Sequence, residues 1–343
     1  MKVMSDVAPL RDQFGRVHTD LRVSVTDRCN IRCFYCMPAE NVRFRPRAEI
    51  LTFEEITRFV RVVSQLGIRS VRLTGGEPLV RHGLSRLVEM LVRLPGIDDV
   101  ALTTNGLLLA EQAVALRAAG LKRLNVSLDT LDPARFREIT RRDGFERVLE
   151  GLFAAQRAGF ERIKVNAVAI RGLTEPDIVP LAQFARRHGF EVRFIEYMPL
   201  DADGSWENGQ VLAGAEVREI IERELGGLEP VAGRDPAQPA VDYRFVEGTG
   251  RVGFINSVTE PFCGACDRLR LTAEGKLRNC LFSTTEWDAR ALLRDEPRST
   301  NAACTDAALV ELVRECVAQK RRAHGINSEE FVRPERAMYQ IGG

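Results

Sequence analysis

The chain has 343 residues, enough for one large domain with an appendage or for two domains, and its 45 % hydrophobic and 28 % charged content is that of a soluble globular protein. Its 49 basic and 48 acidic side chains leave a formal net charge of +1, which gives no electrostatic footprint for nucleic acid or for a membrane surface. The first twenty residues are polar, no apolar run is long enough to span a bilayer, and eight cysteines are present, so the expected compartment is the reducing cytoplasm, where clustered thiols are metal ligands more often than crosslinks.

From Leu21 to about Met198, short β-branched runs alternate with amphipathic stretches. The predicted strands are Leu21–Thr26, Val71–Thr74, Val100–Thr103, Arg123–Leu128, Ile163–Ile170 and Val192–Met198. Between them the apolar spacing predicts helices over Thr52–Leu66, Gly83–Leu94, Gln112–Ala119, Phe145–Ala158 and Glu175–His188. Thr52 followed by Glu55 reads as a capping box, and Gly67, Gly120, Gly159 and Gly189 stand where helix ends favour glycine. Strands alternating with helices imply a parallel sheet covered by helices, and about six units predict a partial (β/α) barrel. The chemistry of such a barrel lies at the C-terminal ends of its strands. Those ends carry Thr26-Asp27, the Thr74-Gly75-Gly76-Glu77-Pro78 turn, Thr103-Thr104-Asn105, Ser127-Leu128-Asp129 and Glu196-Tyr197-Met198.

The Gly/Pro-rich stretch from Gly226 to Ala240 reads as a linker, which divides the chain into residues 1–225 and 226–343. Beyond it come strand-like runs at Tyr243–Glu247 and Arg251–Asn256, a second group of cysteines and a helical tail. Gly248 to Gly253 matches G-x-G-x-x-G, but it joins two strands and opens no helix, so it reads as a hairpin turn rather than a dinucleotide site.

Cys29, Cys33 and Cys36 follow the first strand in C-x3-C-x2-C spacing. Three thiolates hold three irons of a four-iron cubane and leave the fourth open to a ligand that is not protein. An open iron on a low-potential cluster is how S-adenosylmethionine (SAM) is bound and reductively cleaved. Structural zinc would need a fourth ligand, and neither His18 nor His82 is near. Cys263, Cys266 and Cys280 form a second set of three; taken alone it suits a cluster or zinc equally, with Cys304 or Cys316 as a fourth ligand.

Taken together, these segments resemble the molybdenum-cofactor biosynthesis protein A family, the GTP 3′,8-cyclases of the radical SAM superfamily. The matching segments are Asp20–Asn30, Cys33–Pro38, Arg72–Leu79, Leu102–Gly106, Asn125–Asp129, Arg193–Met198, Phe262–Arg270 with its Cys263-x2-Cys266-x-Arg268-x-Arg270 pattern, and Ile341-Gly342-Gly343. The resemblance covers nearly the whole chain in order. It implies a radical SAM partial (β/α)6 barrel with a C-terminal α+β extension that carries a second Fe-S cluster. It also implies two 4Fe-4S clusters, SAM as cofactor, and conversion of GTP to 3′,8-cyclo-7,8-dihydro-GTP in the first step of molybdopterin synthesis. The 5′-deoxyadenosyl radical would take the 3′ hydrogen of GTP, and the ribose radical would attack C8 of guanine.

Residue by residue, the resemblance assigns Cys29, Cys33 and Cys36 to the SAM cluster and Cys263, Cys266 and Cys280 to a cluster that holds the guanine. Tyr35, Gly76, Ser127 and Met198 would contact SAM. Arg22, Arg72, Thr74, Thr103, Lys164, Arg193, Arg268 and Arg270 would contact GTP, whose triphosphate has no G-x4-G-K-[ST] loop here to receive it. Arg22, Arg268, Arg270, Gly342 and Gly343 would act catalytically, with the glycine tail entering the site. Ser70 departs from a lysine found in some relatives, and the adjacent Arg69 should face away. The implied partners are GTP, a reductant of unknown identity and a downstream pterin-forming enzyme; a homodimer stays open. The alternatives are a peptide-maturing radical SAM enzyme with an auxiliary cluster and a non-catalytic zinc-binding scaffold.

Overall fold

The computed structural model describes residues 8–294 and 302–342. Six parallel strands come first: β1 (Asp20–Ser24), β2 (Ser70–Thr74), β3 (Asp99–Thr104), β4 (Arg123–Ser127), β5 (Ile163–Ala169) and β6 (Glu191–Glu196). Helices α1 (Phe53–Gln65), α2 (Leu84–Val92), α3 (Leu109–Ala118), α4 (Pro133–Thr140), α5 (Phe145–Arg157) and α6 (Glu175–His188) connect them, and α7 (Gly214–Leu225) follows β6. The predicted capping box closes α1: the Glu55 amide donates to the Thr52 hydroxyl at 3.1 Å and the Thr52 amide to the Glu55 carboxylate at 2.6 Å. Helix α4 escaped the apolar pattern because it is short, but Asp132 caps it, accepting from the amides of Ala134 and Arg135.

The C-terminal part extends the same sheet at both edges. Its strands are β7 (Leu228–Pro230), β8 (Val241–Phe245), β9 (Arg251–Ile255), β10 (Arg268–Leu271), β11 (Lys276–Arg278) and β12 (Trp287–Asp288). The order across the sheet is β12-β11-β10-β1-β2-β3-β4-β5-β6-β9-β8-β7. Strand β9 lies parallel to β6, whereas β10, only twelve residues later, lies parallel to β1 at the far end of the parallel array. The parallel array therefore has eight strands, and the segment from Asn256 to Asp267, which carries Cys263 and Cys266, passes from one of its edges to the other. The stretch expected to be a plain linker contains β7, which pairs with β8. Gly248 and Gly250, both at positive φ, turn the chain between the antiparallel β8 and β9, as the hairpin reading requires. Helices α8 (Ala289–Arg294), α9 (Ala302–Ala318) and α10 (Met338–Ile341) complete the chain, and no helix among the described residues is long and apolar enough to cross a membrane.

Parallel strands covered on both faces usually read as unbroken apolar runs. These alternate instead. Leu21, Val23, Val71, Leu73, Leu102, Leu124, Val126, Val165, Phe194, Leu269 and Leu271 are buried and belong to the main apolar cluster, together with helix residues such as Ile56, Phe59, Leu87 and Leu152. The intervening positions, Arg22, Arg72, Thr103, Asn125, Lys164, Arg193 and Arg270 among them, line a cavity. A side chain every second residue faces the same way along a strand, so the sheet has an oily outer face under the helices and a polar, charged inner face.

Candidate active site

The cavity has a volume of about 570 Å³. It gathers Cys29, Cys33, Tyr35 and Cys36 from the loop after β1, Gly76 from the turn after β2, and Ser127 and Met198 from the mouth. On its wall stand Arg22, Arg72, Thr74, Thr103, Lys164, Arg193, Arg268 and Arg270. Of the other expected site residues, Cys263, Cys266 and Cys280 are not among the lining side chains, although their chain neighbours Phe262, Asp267, Arg268 and Leu281 are. Gly342 reaches the site through its carbonyl, which accepts from Arg270, while Gly343 lies outside the described residues.

Arg270, Arg22 and Arg72 are Cα partners on the adjacent strands β10, β1 and β2. Parallel strands lie about 4.8 Å apart, so the three guanidinium groups form one row. Burial pushes Arg22 down, and Arg268 adds repulsion. Burial takes Arg72 down to about 9, with Arg22 next in importance, and holds Arg270 well below the usual range, again with Arg22 and Arg268 contributing. The Nε of Arg22 and the Nε and Nη2 of Arg268 are buried and have no hydrogen-bond partner among the described residues. A polyanion at this wall would satisfy those donors and relieve the repulsion; arginine suits that task through bidentate, charge-assisted bonds.

Two other expected cations are less free. Arg193 Nη2 pairs with Asp242 at 2.9 Å, although its Nε is also unpartnered. Lys164 lies 3.8 Å from Glu191, and burial, followed by the charge of Arg193, brings it down to about 8. Ser70 donates to Asp99 at 3.3 Å, and Arg123, which sequence reasoning passed over, donates to Asp99 at 3.0 Å. Arg69 faces outward and donates to the Gly96 carbonyl, as its parity required. The same period-two count would have found Arg123, Asn125 and Asn166 on the cavity wall.

The first cysteine loop is clamped by the turn after β2. The Gly76 amide donates to the Thr26 carbonyl and the Glu77 amide to the Arg28 carbonyl, each at 2.7 Å. A Cβ on Gly76 would come within 2.4 Å of that Arg28 carbonyl oxygen. The glycine is thus required by close packing against the cysteine loop, whatever else it approaches. Glu77 is buried and accepts from Thr104, from the Asn105 amide and from the Leu79 amide; burial raises it to about 7. Asn105 turns its side-chain amide to Asn30 at 2.7 Å and toward the Cys29 sulfur at 3.8 Å. The Tyr35 hydroxyl donates to Asp129 at 2.6 Å, and burial raises Asp129 to about 6. Neither Asn105 nor Asp129 was singled out from sequence. Burial, then Glu77, raises Cys29 to about 11; burial, then Asp129, holds Cys33 well above the usual range, and burial also raises Cys36.

The second set has the opposite surroundings. Burial pushes the Cys266 thiol up, but Arg268 and Lys320 outweigh it and bring it down to about 7. Lys320, also unforeseen, donates to the Cys266 sulfur at 3.4 Å and to the Arg268 carbonyl at 2.8 Å. Cys316, a fourth-ligand candidate, is instead fully buried in the main apolar core, where it behaves as a small hydrophobe. The Cys304 side chain lies outside the described residues.

All six expected ligands are free, partly buried thiols. Among the described residues no three His, Cys, Asp or Glu side chains gather closely enough to hold one metal ion. Three sulfurs without a closing fourth ligand fit a cubane with one open iron, and bonding to metal would remove the protons that burial otherwise keeps on the first set.

Residues 23–185 match the family model of the radical SAM superfamily, and residues 190–326 match that of the molybdenum cofactor synthesis C region. The chain is 50 % identical to the GTP 3′,8-cyclase of Rhodopirellula baltica, covering 99 % of this chain and 94 % of that one. It is 46 % identical to the GTP 3′,8-cyclase of Pelotomaculum thermopropionicum, covering 97 % of this chain and all of the relative, and 46 % identical to that of Streptomyces coelicolor, covering 97 % and 96 %. Among solved structures, Streptococcus suis SuiB bound to S-adenosylmethionine superimposes with a TM-score of 0.58 at 16 % identity, covering 89 % of this chain and 72 % of that one, which is a likeness of fold. With both family models matched in order and such identity along nearly all its length, the chain belongs to the GTP 3′,8-cyclase family of the radical SAM superfamily.

Proposed function

We propose that this chain converts GTP to 3′,8-cyclo-7,8-dihydro-GTP at the cavity described above, in the first step of molybdenum cofactor synthesis. The observation that carries the reading is the row Arg270-Arg22-Arg72, with Arg268 beside it, on the wall of a cavity whose mouth holds three free cysteines. Such a row is costly without an anion, and a nucleoside triphosphate supplies one.

When bound, SAM and the cluster on Cys29, Cys33 and Cys36 supply a carbon-centred radical, and the cluster on Cys263, Cys266 and Cys280 supplies an open iron for the base. The chain's own residues bind and orient. Arg22, Arg72, Lys164, Arg193, Arg268 and Arg270 meet the charge of the triphosphate, with Thr74 and Thr103 as further contacts to GTP. Tyr35, Gly76, Ser127 and Met198 frame the SAM pocket, and Asp129 fixes the Tyr35 ring through its hydroxyl. Gly342 caps the wall by accepting from Arg270 and lying against Thr74. Residues 1–225 provide the SAM half and residues 226–343 the second cluster with part of the phosphate wall. The reading includes a cytoplasmic enzyme that takes electrons from a separate reductant, hands its product to a pterin-forming enzyme, and has a homodimer as a compatible assembly.

The test is anaerobic. Reconstituted protein is mixed with SAM, dithionite and GTP and analysed by mass spectrometry. The expected result is 5′-deoxyadenosine together with a GTP isomer of unchanged mass and new retention. 5′-Deoxyadenosine with unaltered GTP would overturn the substrate assignment. The peptide-maturing alternative has only a likeness of fold behind it.

A further inference from the structure

Lys320 is 2 % exposed and follows α9. Its ammonium reaches the Cys266 sulfur at 3.4 Å and the Arg268 carbonyl at 2.8 Å, and no carboxylate pairs with it among the described residues. A buried ammonium without a counter-charge is expensive, so the sulfur is the group that must balance it. A second cation, Arg16, stands on the same side, but its task is different. Its Nε is neutralised by Asp12 at 2.6 Å, and its Nη atoms hold the carbonyls of Cys263, Arg321 and Arg322. Arg16 thus ties the backbone of the second cysteine pair to the segment that carries Lys320. Gln13 adds a bond to the Lys320 carbonyl at 3.2 Å.

Among the described residues no cation donates to a sulfur of the first set. Cys29 meets the neutral amide of Asn105 at 3.8 Å and the backbone amide of Ile31, Arg32 holds the Cys29 carbonyl rather than its sulfur, and the carboxylates of Glu77 and Asp129 stand on the same cavity wall. Hydrogen bonds to ligating sulfurs and nearby charge set the reduction potential of an iron–sulfur cluster. An ammonium favours the reduced, more negative cluster; neighbouring carboxylates disfavour it.

We propose that Lys320 is a positioning residue for the second cluster: through its bond to the Cys266 sulfur it sets that cluster's reduction potential above that of the SAM cluster, and through its bond to the Arg268 carbonyl it aims the Arg268 side chain at the substrate. The proposal rests on the reading of Cys263, Cys266 and Cys280 as ligands of a four-iron cluster. It gives the two clusters separate electrical settings. The cluster that must reduce SAM stays a strong reductant, and the one that holds the base is the easier to reduce.

The experiment is an EPR-monitored redox titration of the reconstituted full-length enzyme and of its Lys320→Met, Lys320→Gln and Lys320→Arg variants, with iron counted in each. In the wild type about eight irons per chain are expected, with the second cluster titrating at the higher potential. Lys320→Met should keep its iron and shift the reduction equilibrium of the second cluster about tenfold toward the oxidised form, a fall of about 59 mV for one electron. The SAM cluster should be unmoved. Lys320→Gln, which keeps a donor without the charge, should fall between, and Lys320→Arg should titrate like the wild type. A Met variant with full iron and an unshifted second cluster would overturn the proposal. So would loss of four irons in the Met and Gln variants alike, since Lys320 would then hold the fold of the site rather than tune it. Only about four irons in the wild type would overturn the two-cluster reading itself, a result distinguishable from either.

Discussion

Arg22 and Arg270 face each other as Cα partners on β1 and β10, and among the described residues neither is hydrogen-bonded to a carboxylate. They come from opposite ends of the chain and meet only because β10 adds itself to the edge of the sheet that β1 would otherwise leave open. Two guanidinium groups so placed repel each other, and that repulsion underlies the proposal that they bind an anion.

Replacing Arg22 with methionine removes one member of the row and keeps most of its volume. A charged hydrogen bond contributes about 1.5–3 kcal/mol, so affinity for GTP should fall roughly ten- to a hundredfold. SAM binding, followed by its effect on the cluster EPR signal, should be unchanged. Equal loss of both affinities would reassign Arg22 to a structural role.

Gly342 sits at φ +70°, and a Cβ there would come within 2.5 Å of Thr74 Oγ1. Gly342→Ala should therefore unseat the segment and free Arg270 from its carbonyl partner. A misplacement of about 1 Å can cost about a hundredfold in rate. The expected pattern is a large fall in kcat with little change in melting temperature or iron content; a wild-type kcat would remove the tail from the mechanism.

Glu77 ties the turn after β2 to the end of β3, and burial raises it to about 7 from an ordinary 4.5. An acid whose pKa is raised by folding binds its proton more tightly in the native state. Stability is then lost as pH rises from about 4.5 through 7 and is flat outside that window. Denaturant melts of the protein across this range should show that slope. In Glu77→Gln the slope should become shallower by the share of Glu77, leaving that of Asp129, which burial raises to about 6, while the overall level drops because the Asn105 amide loses its acceptor. An unchanged slope would place the titration elsewhere.

Cys316 is buried in the apolar core with its backbone carbonyl accepting from Asn279. Cys316→Ala should keep all the iron and cost only a small amount of stability, on the order of 1 kcal/mol for a shallow cavity. Cys280→Ser should lose iron from the second set. If Cys316→Ala lost that iron instead, Cys316 would be a ligand.

Much of this was legible in order along the chain. The alternating strands and helices, the capping box at Thr52, the hairpin at Gly248 to Gly250, both cysteine sets and the Gly-Gly-Glu-Pro turn are local signals, and the described residues carry them where expected. Helix α4 and the short strands β7, β10, β11 and β12 were not read, because segments of two to eight residues give too few turns of a period to stand out, and the longer helix α7 was not read either. Asn105 and Asp129 were placed at strand ends but given no role of their own, and Lys320 was given none, for a different reason. Each matters through one contact with a residue far away in sequence, and no spacing announces it.

The sequence by itself determined the covalent equipment: two sets of three thiols, a glycine pair able to pack on the first cysteine loop, and strands whose period-two alternation commits one face to oil and the other to charge. Only the tertiary structure decided who meets whom. Register across β10, β1 and β2 lined up three arginines, the crossing from β9 to β10 carried Cys263 and Cys266 beside the lining residues Phe262, Asp267 and Arg268, and the end of α9 brought an ammonium to Cys266. Parity within a strand is a local property and can be counted. Register between strands depends on how all the helices pack outside the sheet, and that is settled by the whole chain at once.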